Sequence, residues 1–315
     1  MLGLSLGSVS IPFRATFGLE SLSENHQMII QRIRIPRNLT AILSGSGLAL
    51  SGLLLQTLFR NPLAGPSVLG ITSGSSLGVA IAMLSGVGLG LGMGSGGIIL
   101  FAILGALAVL FLISFISIRF QDVTLVLIAG LMLGFFTSSL VSIMAFFADA
   151  EQLKPFVHWG FGSFARLSPY QIPVLAISLL TGIILSIFSY KALNAFLMGD
   201  DFARSLGINV RSNRLMIIIV SGLMTGVITA YVGPIAFIGL AVPQMVKLVF
   251  KSNHHRITLP ATILLGAIIA LACDIISRVP GSETALPLNA ITSLFGAPIV
   301  IWVLFRTKKI KQRIA

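Results

Sequence analysis

The side chains that could carry acid–base, nucleophilic or metal chemistry are few in this chain and badly placed for it. The nine carboxylates are Glu20, Glu24, Asp122, Asp149, Glu151, Asp200, Asp201, Asp274 and Glu283. Of these, Asp274 alone falls inside a long apolar stretch, near its end, with Arg278 at i+4. That spacing puts both on one helix face and reads as a structural ion pair rather than a proton relay. His26, His158, His254 and His255 all stand between the apolar stretches and read as solvated loop residues. Their spacing matches no HExxH or comparable ligand set. The fragment Gly70-Ile-Thr-Ser-Gly-Ser-Ser could suggest a serine nucleophile within a membrane, but no apolar stretch supplies a histidine base. A GxxxxGK[ST] phosphate loop is missing, so the chain is not expected to hydrolyse ATP itself. The one cysteine, Cys273, excludes an internal disulfide and a Cys-rich metal site and reads as a packing residue. Neither a catalytic residue nor a metal ligand nor a cofactor is expected.

The elements that hold these residues are greasy. Of 315 residues 56% are hydrophobic and 10% charged, against about 25% charged in a soluble domain. Lipid must solvate part of such a surface. Backbone groups in lipid must be paired within the chain, which leaves helices or a closed barrel. The runs are unbroken rather than alternating, so helices are expected. Nine stretches stand out: Asn38–Phe59, Ser67–Ser85, Gly97–Ile118, Val123–Phe147, Gln171–Tyr190, Asn213–Val232, Ile235–Phe250, Ile257–Ser277 and Leu288–Phe305. Pro243 should kink the seventh or leave it only partly membranous. The fold class is an all-α polytopic membrane protein, a single domain over 1–315 that includes a cytoplasmic connection at 191–214.

Charge sets the orientation. The net charge is +12, and the connections holding Arg60, Arg119, Lys191 to Arg214, Lys247 to Arg256 and the C-terminal tail carry 14 of the 21 basic residues. That side is read as cytoplasmic, with the C-terminus on it. A nucleic-acid partner is not expected, since no soluble basic domain with interleaved aromatics exists.

Two surface features ask for more than packing. In Gly199-Asp-Asp-Phe-Ala-Arg-Ser-Leu-Gly207, Asp200 and Asp201 can cap a helix start, Phe202 and Leu206 share a face, and Gly207 suits a stop. The result is a short amphipathic helix on the cytoplasmic side, which either lies on lipid headgroups or docks a partner. Arg34-Ile-Pro-Arg37 puts positive charge on the outer side, where it should be scarce. Such arginines either snorkel to the interface or meet carboxylates of an extracytoplasmic partner. Arg278 is expected to keep its fork free for the same surface. Glycines such as Gly45, Gly52, Gly74 and Gly78 inside the spans indicate close helix packing. Gly88 to Gly97 reads as a flexible outer turn.

Taken together, the motifs resemble FecCD-type permeases, the membrane subunits of ABC importers for iron-siderophore complexes, haem and cobalamin. The likeness rests on Arg34-Ile-Pro-Arg37 before a glycine-rich span, Leu58-Phe-Arg-Asn-Pro-Leu-Ala64 and Leu69-Gly-Ile-Thr-Ser-Gly74. It extends through the 199–207 segment, Gly233-Pro-Ile-Ala-Phe-Ile-Gly-Leu-Ala-Val-Pro243 and Leu294-Phe-Gly-Ala-Pro298. The resemblance implies a ten-helix subunit that dimerises with a second permease subunit around a path, with two ABC ATPase subunits below and a substrate-binding protein above. It assigns Gly199, Asp200, Asp201, Phe202, Ala203, Arg204, Leu206 and Gly207 to ATPase coupling. Arg34, Arg37 and Arg278 go to binding-protein docking, and Ser73 and Thr124 to the cytoplasmic gate. By this resemblance an apolar helix is expected before Leu6-Gly-Ser-Val-Ser-Ile-Pro12 and few apolar residues stand there, as a late start, a truncation or a nine-span subunit would leave it. Gln244 stands where many relatives have histidine.

The rival class is an ion-coupled secondary transporter, which needs ionisable or coordinating groups near the bilayer midplane. Asp274 sits too near a helix end for that role. An intramembrane enzyme lacks its base and its metal ligands. The expected product is a multi-pass inner-membrane permease moving an iron chelate or cobalamin.

Overall fold

The computed structural model describes residues 24–85, 94–120, 122–278 and 285–314, all helices and connections with no strand among them. The helices are α1 (Glu24–Leu58), α2 (Ile71–Leu84), α3 (Ser95–Arg119), α4 (Val123–Phe147), α5 (Ala150–Gly160) and α6 (Ile172–Phe188). They continue as α7 (Tyr190–Met198), α8 (Asp200–Ser205), α9 (Val210–Val232), α10 (Ile238–Phe250), α11 (His255–Ser277) and α12 (Leu288–Ile314). Among the described residues six helices are long and apolar enough to cross a membrane, namely α1, α3, α4, α6 with its preceding turn, α9 and α11. The other three sequence stretches are the shorter apolar helices Ile71–Leu84, Ile238–Phe250 and Leu288–Val303. The leading segment around Leu6–Pro12 and most of the Gly88–Gly97 turn lie outside the described residues.

One helix organises the rest. α1 starts fourteen residues earlier than its apolar run, and 78% of its most apolar window is buried. It packs against α11, α9, α10 and α6. Its early part contains a π turn, Ile30–Arg34, in which the Ile35 amide reaches the Ile30 carbonyl. Pro36 accounts for the seam. It has no N–H to give, and its ring crowds the carbonyl four residues back, which a wider turn relieves. The approach to the span is therefore helical from Glu24 onward.

Glycines let the neighbours of α1 come within backbone contact. A methyl added at Gly45 would overlap the Gly266 carbonyl of α11, and one at Gly52 would overlap the Gly239 carbonyl of α10. Close approach of this kind substitutes for the hydrophobic drive that lipid does not give. Hydroxyls then bond across the seams: Ser46 donates to the Ile263 carbonyl at 2.9 Å and Ser51 to the Ser221 carbonyl at 2.9 Å.

The outer ring is the reverse. Only 17% of the best window of α4 is buried, and Phe135, Phe136, Phe146 and Phe147 are exposed. α3 and α6 are similarly open. Apolar surface displayed on this scale is solvated by lipid or by another membrane subunit. The run beginning at Ile235 becomes helical only at Ile238, because Phe237 takes a left-handed conformation (φ 66°). Pro243 lies inside that short helix, as its sequence position implied.

Candidate coupling and docking surfaces

The 199–207 segment is built on α7. Leu193 and Phe196 of that helix enter the same core as Leu55, Leu58 and Phe59 at the end of α1. Gly199 then turns the chain at φ 113°, a conformation open to glycine, and α8 begins at once. Ala203 is fully buried beneath α8, while Phe202 and Leu206 are 44% and 59% exposed. Gly207, at φ 75°, ends the unit. The short amphipathic helix is present, with its apolar pair uncovered.

Its acidic start works differently from the expectation. Gly199, not an aspartate, is the N-cap, and no side chain caps the helix. Asp200 instead accepts from Arg214 of α9 at 2.7 Å. A buried guanidinium needs a counter-charge more than a solvated helix end needs a cap. Asp201 is fully exposed and only loosely paired with Arg204, at 3.6 Å.

A second correction concerns histidine. His255 is not a solvated loop residue. It opens α11 and is 1% exposed. The Asn194 Oδ1 atom accepts from the His255 amide at 3.0 Å and lies 2.9 Å from Nδ1. An amide oxygen can only accept, so Nδ1 carries the proton and Nε2 faces the Thr57 hydroxyl at 2.8 Å. The imidazole thus ties α7 to the end of α1. The residue preceding Thr57, Gln56, donates to the Leu240 carbonyl at 3.1 Å and accepts from Gln244. These polar links were missed because each residue looks ordinary alone. The available signal was a His-His pair at the start of an apolar run, which reads equally well as a loop.

At the opposite end of α1, Arg37 Nε donates to Asp274 Oδ1 at 2.8 Å. Arg278 pairs with the other oxygen of Asp274 and donates to Asn38 Oδ1 at 3.1 Å. The Asp274–Arg278 pair is present as expected, but the expectation that Arg278 keeps its fork free is overturned. Asp274 is 1% exposed, and a buried carboxylate recruits every cation in reach. Arg34 is also buried, in the π turn of α1.

Ser73 and Thr124 lie on packed helices. Ser73 is half-buried on α2 and faces Gly134 of α4, where a methyl would lie 3.7 Å from its hydroxyl. Thr124 is exposed in the first turn of α4, its amide held by Asp122 Oδ1 at 2.7 Å. No group of three or more His, Cys, Asp or Glu that could hold a metal occurs among the described residues.

With this geometry in hand, the likeness to known proteins is informative. Residues 1–306 match the model of the FecCD transport family. The chain is 37% identical over 289 residues to the vitamin B12 import system permease protein BtuC of Klebsiella pneumoniae, covering 92% of this chain and 86% of that one. It is 34% identical over 288 residues to its namesake from Salmonella newport, covering 91% and 87%. Among solved structures, one described as an inward-facing conformation of an ABC transporter assigned to the metal-chelate type matches with a TM-score of 0.86. It is 29% identical and covers 97% of this chain and 94% of that one. PsaBC from Streptococcus pneumoniae, solved with a Fab, shares the fold with a TM-score of 0.57 at 16% identity. A match that runs through nearly all 315 residues, over a multi-pass helical bundle of the same shape, settles descent: the chain belongs to the FecCD transport family.

Proposed function

We propose that this chain is the membrane-spanning permease subunit of an ABC importer for a metal chelate, with cobalamin, haem and ferric siderophore as the candidate cargoes. It contributes path, gate and coupling surfaces and no chemical step. ATP is bound and hydrolysed on separate subunits, whose cycle shifts the assembly between outward- and inward-open forms.

The observation that carries this reading is the mounting of α8. Phe202 and Leu206 stand uncovered on a helix whose support, α7, is bonded through Asn194 and His255 to Thr57 of α1. A partner pressing on that pair moves the end of the central helix. The coupling role is assigned to Gly199, Asp200, Asp201, Phe202, Ala203, Arg204, Leu206 and Gly207. That assignment places α8 and the C-terminus on the cytoplasmic side, in line with the Lys and Arg bias. The exposed aromatic face of α4 suits a second permease subunit, and Ser73 and Thr124 are assigned to the gate beside it.

Outside, Arg34, Arg37 and Arg278 form the basic end where an extracytoplasmic binding protein docks. Arg37 and Arg278 are engaged with Asp274 in this state, so docking draws on the positive field of the cluster and on its rearrangement. The relatives named for vitamin B12 import make cobalamin the first cargo to test. The decisive experiment is reconstitution with the cognate ATPase and binding protein, followed by uptake of cobalamin, haem and ferric siderophore. ATP-dependent uptake of one of them is expected. Uptake driven by an ion gradient with no ATPase present would overturn the reading.

A further inference from the structure

A pocket of about 310 Å³ opens between α3, α8 and the start of α9, and its wall is basic. Ser117, Arg204, Ile208, Asn209, Arg211 and Arg214 line it. The acidic residues beside it do not balance these cations. Asp200 is spent on Arg214 at 2.7 Å, Asp201 touches Arg204 only at 3.6 Å from full exposure, and Arg211 makes no ion pair among the described residues. The depth of the pocket is fixed by its neighbours. α3 ends at Arg119 and α9 begins at Val210, so the pocket lies level with the ends of two apolar helices. Elsewhere on α3, Phe111, Phe115 and Ile118 make a stripe that is 70%, 61% and 39% exposed and marks the surface of this helix that lipid covers. These residues are four and three apart, so they share one face.

A cationic recess level with the ends of apolar helices suits the phosphate of a phospholipid, whose acyl chains would lie along the lipid-facing surface of the bundle. We propose that this pocket binds the headgroup of an anionic phospholipid of the inner leaflet. Basic pockets between membrane helices on the cytoplasmic side are suited to such headgroups, and guanidinium forks match phosphate oxygens. Because Arg204 and Asp200 belong to α8 and Arg211 and Arg214 to α9, a bound phosphate would bridge the coupling helix to the membrane. The proposal uses the cytoplasmic orientation given above but neither the cargo nor the docking assignment.

The test is native mass spectrometry of the intact permease in detergent, titrated with phosphatidylglycerol or with phosphatidylcholine of the same chains. Tighter binding of phosphatidylglycerol by tenfold or more is expected. Arg211→Glu should abolish that preference, and Arg211→Gln should reduce it, while Arg256→Glu, on another cytoplasmic turn, leaves it intact. Arg211 is exposed, so these variants should fold. Equal affinity for the two lipids, or an undiminished preference in Arg211→Glu, would overturn the proposal. Competition by soluble glycerol phosphate at equal concentration would assign the pocket to free phosphate instead. Loss of the preference when the ATPase is bound would assign it to an acidic segment of that partner. ATPase copurification reads the coupling assignment separately, so failure of one does not imply failure of the other.

Discussion

Arg37 of α1 and Asp274 of α11 meet at 2.8 Å, and Arg278 takes the second oxygen of the same carboxylate. One buried acid therefore locks the early part of the central helix to α11. The two arginines also repel each other, so the cluster holds only while the carboxylate stays charged.

Asp274→Asn should be severely destabilising. It leaves buried guanidinium groups without a counter-charge, a loss of about 3–5 kcal/mol for such a site. Arg37→Gln added to it should cost less than Arg37→Gln alone, since both act on one cluster. Thermal unfolding in detergent measures both, and strictly additive shifts would show that the groups are independent.

His255→Ala removes the imidazole that joins α7 to α1, while Asn194 Oδ1 keeps the amide of residue 255 at 3.0 Å and the Thr57 hydroxyl keeps the Leu53 carbonyl at 2.8 Å. A loss of about 0.5–1.5 kcal/mol is expected for each of the two imidazole hydrogen bonds removed. In the reconstituted complex, ATP hydrolysis should continue while uptake per ATP falls. Unchanged uptake per ATP would separate this joint from coupling.

Replacing Phe202 and Leu206 together by Asp should abolish copurification of the ATPase and leave membrane insertion intact. Both side chains are already exposed, so the fold loses little. Retention of the ATPase would remove α8 from the interface.

Arg34→Glu should weaken association with the binding protein, with the larger effect at low salt, where the Debye length exceeds about 10 Å. Arg34 is buried at 4% exposure, so thermal unfolding of the variant in detergent is measured beside the affinity, and a variant that stays folded with unchanged association would overturn the docking role. An affinity ratio between the two forms that does not change with ionic strength would argue against an electrostatic contact.

Gly52→Ala should be poorly tolerated, because its methyl would overlap the Gly239 carbonyl of α10. Overpacking of this kind costs about 1–3 kcal/mol or more. Gly96→Ala, which meets nothing within 4 Å, should be silent in the same expression and unfolding assays.

Much of the bundle was legible because lipid imposes a simple rule: every membrane helix must announce itself by an unbroken apolar run. The 199–207 segment was legible too, since a Phe and a Leu four apart on an otherwise polar turn need a reason. What could not be read was which polar groups meet. Arg37 and Asp274 are separated by 237 positions and Thr57 and His255 by 198. Spacing within one helix reveals the i,i+4 partner Arg278 but says nothing of a partner on another helix. The sequence also misplaced His255 by two residues, enough to turn a buried joint into an apparent loop.

The burial of α1 has a consequence for how the protein is made. α1 leaves the ribosome before the other described spans, yet the partners of Ser51, Gln56 and Thr57 are Ser221, Leu240 and His255. At about 5–20 residues per second, those groups wait on the order of 10–40 s for company. During that interval the newborn helix must be sheltered by the insertion machinery or by provisional neighbours, which makes the centre of the finished bundle its most vulnerable part at birth.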